Sequence, residues 1–228
     1  MENSGITIEN KTRIEELANG LNNIYFTTHS KPLETPIPIE DIAEHHLGYS
    51  IEFVDDGIFS DPEILGGIDF EENKIYVNAS VEDHDGRYGF TIAHEIGHHT
   101  LHKDDYLKET AEAERRILCR DVREKPNIEL EADYFAAVLL MPLKTIKNIF
   151  KDIRKKKPIR SIGQARSLAS QIISVGNFNN VSNSAMVNRL IDLKLIPNDL
   201  GYHPGINSVY KPRSLLSLVL ARIFNKIS

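Results

Sequence analysis

The 228-residue chain holds a single cysteine, Cys119. One thiol cannot close an internal disulfide, which makes a reducing compartment, the cytoplasm, the expectation. The opening residues MENSGITIENKTRIEEL show no basic stretch followed by an apolar core, so no secretory leader is expected. Long apolar runs are also missing. The longest, Leu215 to Leu220, is interrupted by Ser217 and falls well short of the roughly 20 residues that cross a bilayer. No internal repeat is present, and the only biased tract is Lys155-Lys156-Lys157, which argues against a repeat architecture. With 41% hydrophobic and 26% charged residues, the composition is that of an ordinary globular protein and excludes collagen-like or wholly disordered classes.

What is present is an uneven distribution of charge. Residues 1–143 carry 12 lysines and arginines against 30 acids, and residues 144–228 carry 15 against 3. The net charge of −6 therefore hides an acidic body of −18 and a basic one of +12. This predicts two units, 1–150 and 151–228, the second positively charged and helical.

Ile14, Leu17, Leu21 and Ile24 recur at helical spacing within a helix over 10–26. A short helix follows Pro36-Ile37-Pro38 and ends at Gly48, and Tyr49 to Val54 alternates as a half-buried strand does. Gly67 to Phe70, a polar turn and Lys74 to Asn78 read as a hairpin. The first unit is thus expected to be α+β, with a small antiparallel sheet. From Arg87 onward the pattern is helical, over 88–102, part of 105–120, 127–141, 143–156, 161–174, 182–194 and 213–226.

The chemistry is concentrated in Phe90 to His98, FTIAHEIGH. Histidines at i and i+4 share one helix face about 6 Å apart along the axis. His94 and His98 can therefore both reach one zinc ion at about 2.0–2.1 Å, and Glu95 flanks that face as the carboxylate that takes a proton from water. With 9 histidines in the chain, a chance match of this pattern is expected roughly 0.03 times. Catalytic zinc needs a third protein ligand. Leu101 stands three residues after His98, so the extended three-histidine pattern fails. A carboxylate on a second helix, in Asn127 to Ala136, remains. There Glu129 and Asp133 lie at i and i+4, with Ala132 and Ala136 adjoining and allowing close approach. Glu129 is the expected third ligand, and Asp133 the acceptor for the outer N–H of a ligand histidine. Glu131 lies roughly 200° around the helix from Glu129 and is disfavoured as a ligand.

At these residues the chain resembles the ImmA/IrrE family of HExxH zinc metallopeptidases. FTIAHEIGHHTLH, the preceding KIYVN and ELEADYFAAVLLMP match the family's three most recognisable segments in order, over roughly 35–145. The resemblance implies a zincin-like, gluzincin-type minimal metallopeptidase domain binding one zinc ion through His94, His98 and Glu129, with Glu95 catalytic. It further implies a protein substrate, a helix-turn-helix repressor of a mobile element or stress regulon, cut at one site to release transcription.

Other readings stand beside these. The two ligand helices could be charged amphipathic helices that never meet. His102 continues the histidine face about 6 Å beyond His98 and reads as a supporting histidine rather than a ligand. Ile75, Tyr76, Val77 and Asn78 read as an edge strand that takes the substrate as an added strand. Tyr88, Tyr106, Tyr134 and His203 are candidates to stabilise the oxyanion. The segment around Ser182 to Leu193 also resembles the helix-turn-helix element of the family. Here, however, Leu168-Ala169 and Val181-Ser182 are separated by the longer Ser170 to Asn180, and a docked helix pair is the favoured reading over a nucleic-acid surface. The competing function is a non-proteolytic regulator that binds a repressor or DNA through the basic unit.

Overall fold

The structure is a computed structural model that describes residues 6–54, 64–82, 84–115, 126–154 and 158–200. Cys119, His203 and the helix expected over 213–226 lie outside these residues.

Helix α1 (Ile8–Thr28) starts where the Thr7 hydroxyl accepts from the Asn10 N–H, satisfying one of the donors that a helix start leaves open. Its inward face carries Ile14, Ala18, Leu21, Asn22, Tyr25 and Phe26. The expected stripe is corrected at one end, because Ile24 is 56% exposed and Tyr25 takes the inward position. The buried Asn22 donates from Nδ2 to the Leu139 carbonyl at 2.9 Å, which ties α1 to the end of α4 inside the core. A short turn, α2 (Ile39–Asp41), widens into a π-helical stretch over Ile42–His46, and Gly48, at φ +78°, stops it.

Strands β1 (Ser50–Val54), β2 (Gly66–Asp69) and β3 (Lys74–Asn78) form one sheet in the order β1-β3-β2. The β2–β3 hairpin is antiparallel, with Gly67 opposite Tyr76. β1 runs parallel to β3, with Ile51 opposite Ile75. The sheet is therefore mixed, not antiparallel as expected. Inserting β3 between the other two strands buries Ile75 and Val77 completely, which an edge position would not do.

Helix α3 (Asp85–Arg115) is one continuous element where two were expected. Neither proline nor glycine follows Gly97 within it to break the hydrogen-bond ladder. α4 (Pro126–Leu140) packs against both α1 and α3, with Phe135, Leu139 and Leu140 fully buried. Each such side chain contributes about 1.5–3 kcal/mol through removal of apolar surface from water.

Helices α5 (Leu143–Ile153), α6 (Ile162–Val175) and α7 (Asn183–Asp192) follow. Ala165, Leu168, Ile172, Met186, Val187 and Leu190 join the same apolar core as α1, α3 and α4. The connection before α7 is tied to the acidic half, as Asn180 donates to the Ile37 carbonyl at 2.9 Å and Asn177 to that of Thr35 at 3.0 Å. Arg189, 1% exposed, donates from Nε to the Met141 carbonyl at 3.3 Å. α7 thereby places its one basic side chain at the C-terminal end of α4, where a cation complements the helix dipole.

Candidate metal centre

The α3–α4 contact is close because small residues line it. A Cβ at Gly97 would lie only 3.1 Å from the Ala132 Cα and carbonyl oxygen, so a methyl group there would press the two backbones apart. This closeness lets short side chains meet across the interface. His94 and His98 extend from one face of α3 and Glu129 from α4, and their ligand atoms all lie within 4.8 Å of one another.

The three donors form a compact triangle. His94 Nε2 is 3.0 Å from His98 Nε2 and 3.2 Å from Glu129 Oε2, which is 3.4 Å from His98 Nε2. A tetrahedral ion with bonds of about 2.0–2.1 Å needs ligand atoms about 3.3–3.4 Å apart. The observed spacing fits such an ion with small adjustments. The charges fit as well. Burial opposes a proton on His94, yet hydrogen bonds to Asp133 and Glu129 outweigh it and carry its pKa up to about 10. Burial likewise opposes charge on Glu129, but bonds from His94 and His98 bring it down to about 2. The cluster is built to enclose positive charge, and two imidazoles with one carboxylate can hold a divalent metal in that role.

The outer ring nitrogens have partners too. His94 Nδ1 lies 2.9 Å from Asp133 Oδ1, the pairing expected from the i, i+4 spacing of Glu129 and Asp133. His98 Nδ1 lies 3.2 Å from His102 Nδ1, and His102 Nε2 lies 3.2 Å from Glu131 Oε2. Both nitrogens of His102 are engaged away from the triangle. Glu131, which its angular position on the helix disfavours as a ligand, stands outside the donor triangle and meets His102, one turn beyond His98 on α3.

Glu95 is 5% exposed, on the side of α3 that faces β2. Burial raises its carboxyl above the ordinary value, while His94 and His98 pull it down. A Cβ at Gly66 would lie 3.4 Å from Glu95 Oε1 and 2.3 Å from the Thr91 Cγ2 methyl. Glycine is thus required where β2 passes α3, a requirement invisible in the sequence because it depends on a long-range contact. Gly66→Ala is expected to lower the unfolding free energy by roughly 1–3 kcal/mol. Adding Thr91→Ser, which removes the opposing methyl, should restore most of that loss in urea unfolding.

The matched segment is wider than the three donors. Residues 60–170 match a peptidase-family model described as the IrrE N-terminal-like domain. Over these residues the chain is similar to the ImmA/IrrE family. No curated protein matches the chain. The family match spans β2, β3, α3, α4 and α5 and most of α6, so both helices that carry the donor triangle fall inside it.

One expectation is overturned by the strand order. Ile75, Tyr76, Val77 and Asn78 belong to the central strand, already paired on both sides, and cannot take an added strand. Asn78 is 2% exposed and works locally, accepting from Ser80 N–H at 2.9 Å and donating to the Ile64 carbonyl at 3.1 Å. Three of the tyrosines considered for the oxyanion are placed. Tyr88 stacks on Phe53 with its hydroxyl on Glu40, Tyr106 tilts against Phe70, and Tyr134 donates to Glu15 at 2.6 Å. No described helix is long and apolar enough to cross a membrane.

Proposed function

We propose that this ImmA/IrrE-type protein is a zinc-dependent endopeptidase with one zinc ion held by His94, His98 and Glu129. The observation that carries this reading is the convergence of those three donors across α3 and α4 beside the buried Glu95 carboxylate. Bound zinc would supply a Lewis acid that polarises the scissile carbonyl and acidifies water. Glu95 takes a proton from the attacking water at its carboxylate and delivers it to the leaving amine nitrogen. Asp133 fixes the ring of His94 through Nδ1, which leaves Nε2 as the ligating atom.

The substrate chain aligns along β2. This is the edge strand nearest α3, and no other described strand pairs with its outer side. An extended peptide there would gain main-chain hydrogen bonds while its carbonyl passes Glu95. The substrate we infer is a helix-turn-helix repressor, cut once in the cytoplasm. The acidic body of −18 favours a basic, DNA-binding partner by electrostatic steering. Residues 151–228 form the second, basic unit, and its described part, 158–200, docks on the acidic half through the ties from Asn177, Asn180 and Arg189. The inward course of Arg189 also speaks against α7 as a DNA-reading helix and against the non-proteolytic regulator. The zinc-loaded protein incubated with the repressor encoded beside it should yield one new cut by mass spectrometry. No cleavage, combined with tight and steeply salt-dependent DNA binding, would replace this reading with the regulator.

A further inference from the structure

The two ligand histidines are supported differently. His94 meets a carboxylate directly, whereas the outer nitrogen of His98 meets a third imidazole. We propose that His102, Glu131 and Asn10 form a positioning relay that fixes the tautomer of His98 and anchors it to the N-terminal helix. The proposal rests on the reading of His98 as a metal ligand.

Proton accounting gives the relay a direction. His98 presents Nε2 to His94 and Glu129, so a ligating His98 keeps that lone pair free and carries its proton on Nδ1. That proton is donated to His102 Nδ1, 3.2 Å away. His102, with Nδ1 accepting, carries its own proton on Nε2 and donates it to Glu131 Oε2 at 3.2 Å. The second oxygen of Glu131 accepts from Asn10 Nδ2 at 2.9 Å. Every donor in the series meets an acceptor. The reverse direction fails, because a proton on His98 Nε2 would occupy the ligand position.

The geometry also explains why a third histidine is present. The ring of His102 touches His98 on one side and Glu131 of α4 on the other, and so bridges the two. His102 and Glu131 have side chains 14% and 15% exposed, so water competes little for these bonds. The final link, Asn10, belongs to the first turns of α1, an element outside the residues 60–170 of the family match. A segment remote in sequence from both ligand helices thus helps orient a ligand.

The test is zinc affinity of the full chain, read by competition with a chromophoric chelator, together with the downfield exchangeable imidazole protons of the zinc-loaded protein by NMR. Glu131→Ala and His102→Leu are expected to weaken zinc binding about 10–100-fold, and His102→Leu to lose the His98 Nδ1 proton signal. Glu131→Gln, which keeps an acceptor for His102, and His102→Asn, which keeps one near His98, should recover part of the affinity. Circular dichroism of the metal-free variants establishes that each is folded, and Asn10→Ala, on the outer end of the relay, gives a milder version of the same loss. Affinities within twofold of the parent for both Glu131→Ala and His102→Leu would overturn the relay. Glu129→Ala separates the two claims. If it loses zinc while the relay variants do not, only the relay falls; if it binds zinc as the parent does, the ligand assignment falls and the relay with it.

Discussion

Replacing Glu95 by glutamine is expected to reduce peptide-bond cleavage by roughly 10²–10⁴-fold while the protein stays folded and keeps its zinc. Glutamine has nearly the same shape, so the packing of Glu95 against β2, where a Cβ at Gly66 would come within 3.4 Å of it, is preserved. What disappears is the ability to accept a proton. Glu95 is buried, with burial raising its proton affinity above that of an ordinary carboxylate, which suits a group that must take a proton from water and release it again. Cleavage is measured on the repressor proposed as substrate, with parent and variant at equal zinc content. Undiminished cleavage by Glu95→Gln would remove the general-base role.

Glu129→Ala is expected to abolish stoichiometric zinc binding. Glu129 supplies one corner of the donor triangle and the only carboxylate in it, and two neutral imidazoles alone neither complete the coordination nor balance the ion's charge. The loss is readable in thermal unfolding. Zinc at about 1,000 times its dissociation constant stabilises the folded state by about 4 kcal/mol, equivalent to a melting shift of roughly 10 °C in a chain of this size. The parent should show that shift on adding zinc. Glu129→Ala should show almost none, and a full shift in the variant would exclude Glu129 as a ligand.

Both predictions rest on residues that local spacing already marks. His94, Glu95 and His98 are legible because a helix converts four residues into one turn, and Glu129 and Asp133 because the same rule applies to α4. The β2–β3 hairpin is equally local, set by a polar turn between two apolar runs. Elements that depend on distant pairing were not legible. Alternation in Lys74 to Asn78 tells which side chains point inward but not which strands lie alongside, so the central position of β3 and the parallel pairing of β1 emerge only in three dimensions. The same holds for Gly66, whose need to be glycine comes from Thr91, and for Glu131, whose partner is a histidine on another helix. On α1 the apolar spacing identified the helix but drew its face slightly off, because the buried Asn22 and Tyr25 extend the inward stripe past Ile24.

The acidic and basic halves also take a more specific meaning in the folded chain. They share one core, and the described basic segment reaches the acidic half through neutral ties such as Asn180 to Ile37 and through the ion pair of Lys11 with Asp192 at 3.4 Å. That exposed pair contributes little. Among the described residues, docking of the two halves therefore rests on apolar burial and side-chain-to-backbone hydrogen bonds.

The central claim, one zinc ion held by two histidines and a carboxylate, is tested most directly by X-ray absorption at the zinc edge of the purified full chain. The account predicts one zinc per chain with a first shell of nitrogen and oxygen at about 2.0–2.1 Å, containing two imidazoles. A sulfur ligand near 2.3 Å, which would bring in Cys119, or a third imidazole, which would bring in His102, would contradict it.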